Sequence, residues 1–99
     1  MNRMRIGATL VGKSETRYTP AGLAVQESTF RFAGAVVEAN AERTLDFEFE
    51  GVAVGEIANR LNKVALGVTL QLDGFIAPRS KRSRRLRVHI TEYSLESGS

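Results

Sequence analysis

The sequence LDFEFEGVAVGEIANRL, residues 45–61, changes from the periodicity of a β-strand to that of an α-helix. Apolar and acidic residues alternate strictly over residues 45–50, which is the two-residue period of a half-buried strand. Beyond that strand, apolar residues are spaced three and four apart on one helical face: Val54, Ile57, Ala58 and Leu61. This stretch therefore predicts a strand followed by a short helix that ends by Gly67.

Four other segments alternate in the same strand-like manner. They are residues 4–10, 25–32, 68–76 and 86–90. A Pro-Ala-Gly turn at residues 20–22 separates the first two, and the small and polar residues at 34–42 predict a loop with a helical turn. Three strands, one short helix and two strands are the order of an all-β, five-stranded Greek-key barrel of the oligonucleotide-binding (OB) type, with its helix between strands three and four.

The chain length predicts a single domain. Its 99 residues suit one OB-fold domain over residues 1–95 and a flexible polar tail over residues 96–99. Zero cysteines and one histidine exclude disulfides, thiolate metal sites and paired-histidine metal sites, so no metal or other cofactor is expected. No apolar run approaches the roughly 18 residues of a membrane span, and no secretory pattern opens the chain. We therefore expect a cytoplasmic protein without membrane association.

Positive charge is concentrated in one segment. The chain has 14 Lys and Arg against 11 Asp and Glu, yet residues 79–87 contain no acid and six basic residues. These are Arg79, Lys81, Arg82, Arg84, Arg85 and Arg87. The segment joins the last two predicted strands, where an OB-fold hairpin loop overhangs the ligand, and arginine forks suit phosphate. The pattern predicts a nucleic-acid-binding loop, and clustered positive charge favours encounter with a polyanion.

Aromatic residues divide into core and surface groups. The matched pairs of phenylalanines on apolar strand faces predict core positions: Phe30, Phe32, Phe47 and Phe49. Phe75 instead falls with the polar side chains of its strand, where it either stacks on a base or packs in a dimer interface. His89 has no nucleophile or acid at a recognisable spacing, which predicts a surface or interface histidine.

Residues 7–14 satisfy the phosphate-loop pattern G-x-x-x-x-G-K-S. A functional phosphate loop leaves a buried strand and opens directly into a helix, whereas here the strand alternation continues through Val11 and no helical pattern follows Ser14. The match is interpreted as chance. Glu48 and Glu50 also lack a positioned base or electrophile, so no enzymatic activity is expected.

The third predicted strand carries acids that oppose a simple nucleic-acid groove. Asp46, Glu48 and Glu50 share its polar face and would repel phosphate. Either this strand lies outside the nucleic-acid track or the loops carry most of the binding.

Several segments together resemble a known family. They are residues 17–22, 38–43, 67–77, 80–83 and 88–90. In order and spacing they resemble the PriB family of primosomal replication proteins, which are related to single-stranded DNA-binding protein. The resemblance implies a homodimer of OB folds that binds single-stranded DNA. It further implies contacts with the PriA helicase and with DnaT, through which the replicative helicase is reloaded at stalled forks.

The resemblance also implies DNA-contacting residues. Family contacts in the turn after strand one fall on Arg17, and those between strands four and five fall on residues 79–87. The family's stacking Trp falls at or beside Asp46, and a loop aromatic falls near Ala41, so the stacking part of the site is not carried over. An RNA-binding OB module of ribosomal or cold-shock type is the alternative interpretation, since it shares the fold and the charge pattern.

Overall fold

Six β-strands and one α-helix make up the part of the chain that the computed structural model describes, residues 1–96. The elements are β1 (Met4–Lys13), β2 (Arg17–Tyr18), β3 (Ala24–Glu38), β4 (Ala41–Val54), α1 (Glu56–Asn62), β5 (Thr69–Pro78) and β6 (Leu86–Leu95). Five of the strands form a barrel, and β2 adds a two-residue ladder to β3. The all-β OB barrel and its short helix between the third and fourth long strands are confirmed.

The barrel closes because β1 pairs on both sides. Its first half pairs with β5, and its second half pairs with β3 across an irregularity between Leu10 and Gly12. Strand order around the sheet is β1-β5-β6-β4-β3. Within residues 1–96 the strands pair antiparallel except for β4 and β6, which pair in parallel at Gly51–Val88 and Val52–His89. The loop between β5 and β6 is therefore brought beside β3 and β4.

Alternate side chains from every barrel strand fill the interior. Fully buried residues include Leu10, Phe30, Val52, Leu70 and Leu72. The helix closes one end of the barrel with Ala58 and Leu61, which lie three residues apart on its inner face. Val54, which the sequence pattern places on the helix, belongs instead to β4, because Gly55 takes a positive φ of 89° and separates the strand from the helix.

The β3–β4 hairpin is longer than the sequence predicts. Residues 34–42 do not form a loop with a helical turn: the two strands pair continuously from Val25–Val54 to Glu38–Ala41. Ala39 and Asn40 alone make the turn, both with positive φ as a two-residue hairpin turn of this kind requires. The small residues of this segment hide the strand period, and only cross-strand pairing reveals it.

This extension changes two core predictions, because Phe32 is only half-buried and neither it nor Phe47 belongs to the core cluster. Phe30 is fully buried and Phe49 packs against the core, but Phe47 is 41% exposed. Phe47 pairs with Phe32 toward the far part of the hairpin, where less of the barrel covers the apolar face. The prediction that Phe32 and Phe47 are core residues is therefore wrong.

The end of the chain is only partly described. Ser94 and Leu95 belong to β6, and the Glu96 N–H donates to the carbonyl of Thr69 at 3.2 Å. Residues 97–99 lie outside the described residues, so the flexible tail over 96–99 stays a prediction.

Candidate nucleic-acid interface

The basic loop, residues 79–85 between β5 and β6, is closed by its own hydrogen bonds. The Arg79 N–H donates to the Arg85 carbonyl at 2.9 Å, which joins the two ends of the loop. At its tip, the Ser83 N–H donates to the Ser80 carbonyl at 3.1 Å, and the Ser83 Oγ accepts from the Arg85 N–H at 3.0 Å. The loop presents its side chains from a hydrogen-bonded backbone.

Four cations project from this loop into solvent. Lys81, Arg82, Arg84 and Arg85 are all exposed, and within residues 1–96 none of them forms an ion pair. We call them the free loop cations. Their charges are close in sequence and uncompensated, so they form a local field that attracts phosphate.

The other three predicted contact residues are held by carboxylates. Arg17 lies 3.3 Å from Glu27, and Arg79 lies 3.7 Å from Glu50. Arg87 lies 3.2 Å from Glu27 and 3.6 Å from Glu50, and its side chain is only 14% exposed. The loop lacks acids in its own sequence, but β3 and β4 supply two from below it.

The sequence does not predict that Glu27 and Glu50 pair with these arginines. Glu27 and Arg87 are 60 residues apart, and no local pattern links them. They meet because β4 pairs with β3 on one side and with β6 on the other. The only sequence signal is that both acids fall within predicted strands.

Asp46 is engaged by an arginine of the neighbouring strand. The Arg31 guanidinium donates two hydrogen bonds to its carboxylate, at 2.8 and 2.5 Å. These bonds, together with the positive charge of Arg31, hold the pKa of Asp46 below its usual value. An ion pair thus lies where the family resemblance places the stacking Trp, and Glu48 remains exposed beside it.

Phe75 lies on the outer surface of β5, stacked on His89 of β6. The ring centroids are 4.7 Å apart with planes 11° from parallel, and Phe75 is 37% exposed. Val54 and Ile57 border the same shallow groove, whose volume is about 290 Å³. The exposed aromatic that the sequence predicts is present, and its role in base stacking or in an interface stays a prediction.

Partial burial of His89 affects its titration. Partial burial lowers the pKa of His89 below 6.5, and the nearby charge of Arg87 lowers it further. The unfolded chain therefore binds a proton at His89 more readily than the folded chain does, so the free energy of unfolding falls as the pH drops below about 6.5.

NMR titration of the His89 imidazole should give a midpoint below 6.5, and Phe75→Ala should raise this midpoint. Tyr18→Ala, an exposed aromatic elsewhere, should leave the midpoint unchanged; a wild-type midpoint of 6.5 or above would contradict the assignment.

The phosphate-loop pattern has the wrong conformation for its usual role. Residues 7–13 lie within the extended strand β1, and no helix follows Ser14. The Lys13 Nζ donates to the carbonyls of Asn62 and Val64, both at 2.8 Å. Lys13 therefore caps the C-terminal end of α1, where unpaired carbonyls favour a cation.

We expect Lys13→Ala to lower the free energy of unfolding by about 0.5–1 kcal/mol, because the last carbonyl of α1 and the Val64 carbonyl just beyond the helix lose their donor. Urea denaturation measures this loss. Lys81→Ala, which removes an exposed lysine without such partners, should leave stability within about 0.5 kcal/mol of the wild type. ATP binding by the wild-type chain that is lost in Lys13→Ala would instead support a phosphate loop.

Two kinds of site have no candidate in the described chain. Within residues 1–96, no three His, Asp or Glu side chains come together as metal ligands. Over the same residues, the single helix is too short to span a bilayer.

The family model described as "another single-strand binding protein family" matches residues 2–92. The replication restart protein PriB of Nitrosomonas europaea is 32% identical over 91 residues, covering 92% of this chain and 84% of that protein. PriB of Bordetella pertussis is 32% identical over 99 residues, covering 100% and 92%.

A solved structure gives the same result for the fold. The structure of PriB from Ralstonia solanacearum superposes with a TM-score of 0.89 at 31% identity, covering 97% of this chain and 98% of that one. The similarity thus extends over the barrel, the long hairpin and the basic loop together.

Proposed function

Because the chain belongs to the PriB family of single-strand binding proteins, we propose that it binds single-stranded DNA as an accessory protein of the replication restart primosome. The observation that carries the proposal is the exposed set of free loop cations on an OB barrel. In this role the chain is a cytoplasmic, non-enzymatic protein that helps reload the replicative helicase at stalled forks.

Phosphate recognition is assigned to the free loop cations. Arginine grips a phosphate with two parallel donors, and lysine adds a compact point charge. Because these residues contact the backbone of the nucleic acid, binding should depend weakly on base sequence. The acidic face that includes Glu48 lies on β4, so the loop carries the binding and that face contributes little.

A homodimer is part of the proposal. An apolar groove of about 300 Å³ opens on the barrel between β1, β4 and the base of the basic loop. Three of the side chains that line it are at least 40% exposed, namely Phe47, Ile76 and Leu86. Exposed apolar surface of this kind favours burial against a second copy of the chain.

Light scattering should give twice the chain mass for the wild type. Phe47→Glu should lower the measured mass toward that of the monomer.

Contacts with the PriA helicase and with DnaT complete the proposal, and they rest on the family to which the chain belongs. When DNA occupies the basic loop, the acidic surface outside that loop stays available to protein partners. Adding the chain to PriA on a forked DNA should increase unwinding. Unchanged unwinding and no measurable complex would remove the partner assignment while leaving DNA binding intact.

The test of DNA binding is a salt titration. Fluorescence anisotropy with oligo-dT, a matched duplex and a matched RNA should show tightest binding to the single-stranded DNA. If four cations meet phosphates, log K against log salt should have a slope near −3, at roughly −0.7 per contact. Binding that ignores salt would overturn the proposal, and a preference for RNA would favour the ribosomal or cold-shock alternative.

A further inference from the structure

Two carboxylates beneath the basic loop engage three of the arginines that the sequence assigns to DNA. Glu27 comes from β3 and Glu50 from β4. Arg17, Arg79 and Arg87 converge on them from β2, the loop and β6. We call Glu27 and Glu50 the carboxylate pair. The pair thereby links β2 to the first residue of the basic loop and to the start of β6.

The carboxylate pair is less accessible than the free loop cations. The side chains of Glu27 and Glu50 are 27% and 31% exposed, and Arg87 between them is 14% exposed. Glu50 Oε1 and Arg87 Nε are buried without a hydrogen-bond partner in the described chain. Glu50 Oε1 is therefore held by electrostatic attraction to Arg79 and Arg87 and not by a hydrogen bond. Burial reduces the screening of this attraction by salt.

A carboxylate that faces an arginine fork takes the place of a phosphate. Both groups are anionic and accept hydrogen bonds from the same guanidinium donors. An arginine already paired with a carboxylate of its own chain neutralises no phosphate. It therefore releases none of the cations condensed on the DNA and adds little to the salt dependence of binding. A nearby carboxylate also repels an incoming phosphate.

We propose that the carboxylate pair is an internal competitor for DNA phosphate, which limits the interface to the free loop cations. The inference rests on the proposed function, because it concerns how many of the predicted cations contact DNA. Glu27 and Glu50 thereby set the affinity without touching the nucleic acid. The predicted DNA contacts at Arg17, Arg79 and Arg87 are made only when their carboxylates are removed.

The decisive variant is Glu27→Gln with Glu50→Gln. It keeps the size of both side chains while freeing three arginines, so the slope of log K against log salt should steepen from about −3 to about −5. At 0.1 M salt each freed arginine should add about fivefold in affinity for oligo-dT. The matched control is Glu42→Gln with Glu48→Gln. Both control acids lie exposed on β4, form no ion pair within residues 1–96, and change the net charge by the same amount.

The control should leave the slope near −3 with at most a small rise in affinity. An equal response of both double variants would overturn the proposal, because only net charge would then matter. Weaker binding by Glu27→Gln with Glu50→Gln would also overturn it, since the acids would then position the arginines for DNA.

A second comparison avoids changing the carboxylate pair. In the otherwise wild-type chain, Arg79→Gln should weaken oligo-dT binding less than twofold, whereas Arg84→Gln should weaken it about fivefold. Equal losses would contradict internal competition even if the glutamine double variant failed to fold. Absence of salt-dependent DNA binding by the wild type would instead refute the proposed function. A normal wild-type slope with unresponsive variants would refute this inference alone.

Discussion

Replacing all four free loop cations with glutamine should reduce affinity for single-stranded DNA about 500-fold at 0.1 M salt. The residues are Lys81, Arg82, Arg84 and Arg85. Each phosphate contact contributes roughly −0.7 to the slope of log K against log salt for single strands. Four contacts therefore account for nearly three orders of magnitude of affinity between 0.1 and 1 M salt. Anisotropy with oligo-dT measures the loss, and the slope against log salt should approach zero.

A second variant distinguishes the effect of net charge on DNA affinity from the effect of contacts made by the basic loop. A control with Arg3, Arg5, Arg43 and Lys63 changed to glutamine removes the same charge from other parts of the surface. Its affinity should fall by less than about fivefold, because surface charges beyond about 10 Å are largely screened at 0.1 M salt. If the two variants lost affinity equally, binding would not be centred on the basic loop.

The fold itself is expected to be most sensitive at Gly74. This residue lies in β5 at an irregularity of the β5–β6 ladder, where the pairing moves from Asp73–Glu92 to Gly74–Ile90. A Cβ placed on Gly74 would lie 1.8 Å from the backbone oxygen of His89. No side-chain rotation can relieve such a contact, because the obstacle is backbone.

Gly74→Ala should therefore lower the free energy of unfolding by about 3 kcal/mol or more, at the upper end of the cost of overpacking. For a domain of this size that corresponds to a fall in Tm of about 12 °C or more, measured by circular dichroism.

Gly12→Ala is the matched control for Gly74→Ala. Gly12 also lies in a paired strand, but a Cβ there would meet only the side chain of Thr29, at 3.7 Å. Its free energy of unfolding should stay within about 1 kcal/mol of the wild type, since alanine also restricts the unfolded chain. Similar losses at both glycines would show that the close approach at Gly74 does not limit stability.

The change of period at residues 45–61 predicts the OB barrel correctly. Apolar side chains recur every two residues in a half-buried barrel strand and every three to four residues in a packed helix, so the two elements are distinguishable by sequence. The two-residue period does not predict the strand pairing at residues 34–42 or the exposure of Phe32 and Phe47. The hairpin reaches past the barrel there, so pairing continues where burial does not, and periodicity no longer reports the structure.

The amino-acid sequence by itself determined the barrel class and the position of the basic loop, since both follow from local periodicity and local charge. It also carried the resemblance that led to the PriB family. Only the tertiary structure decided which cations of residues 79–87 are free of ion pairs. Arg79 and Arg87 differ from Arg84 and Arg85 because strand pairing brings acids from β3 and β4 beneath them. Electrostatic partnership depends on distance in space, and a chain that closes into a barrel brings together charges that lie far apart in sequence.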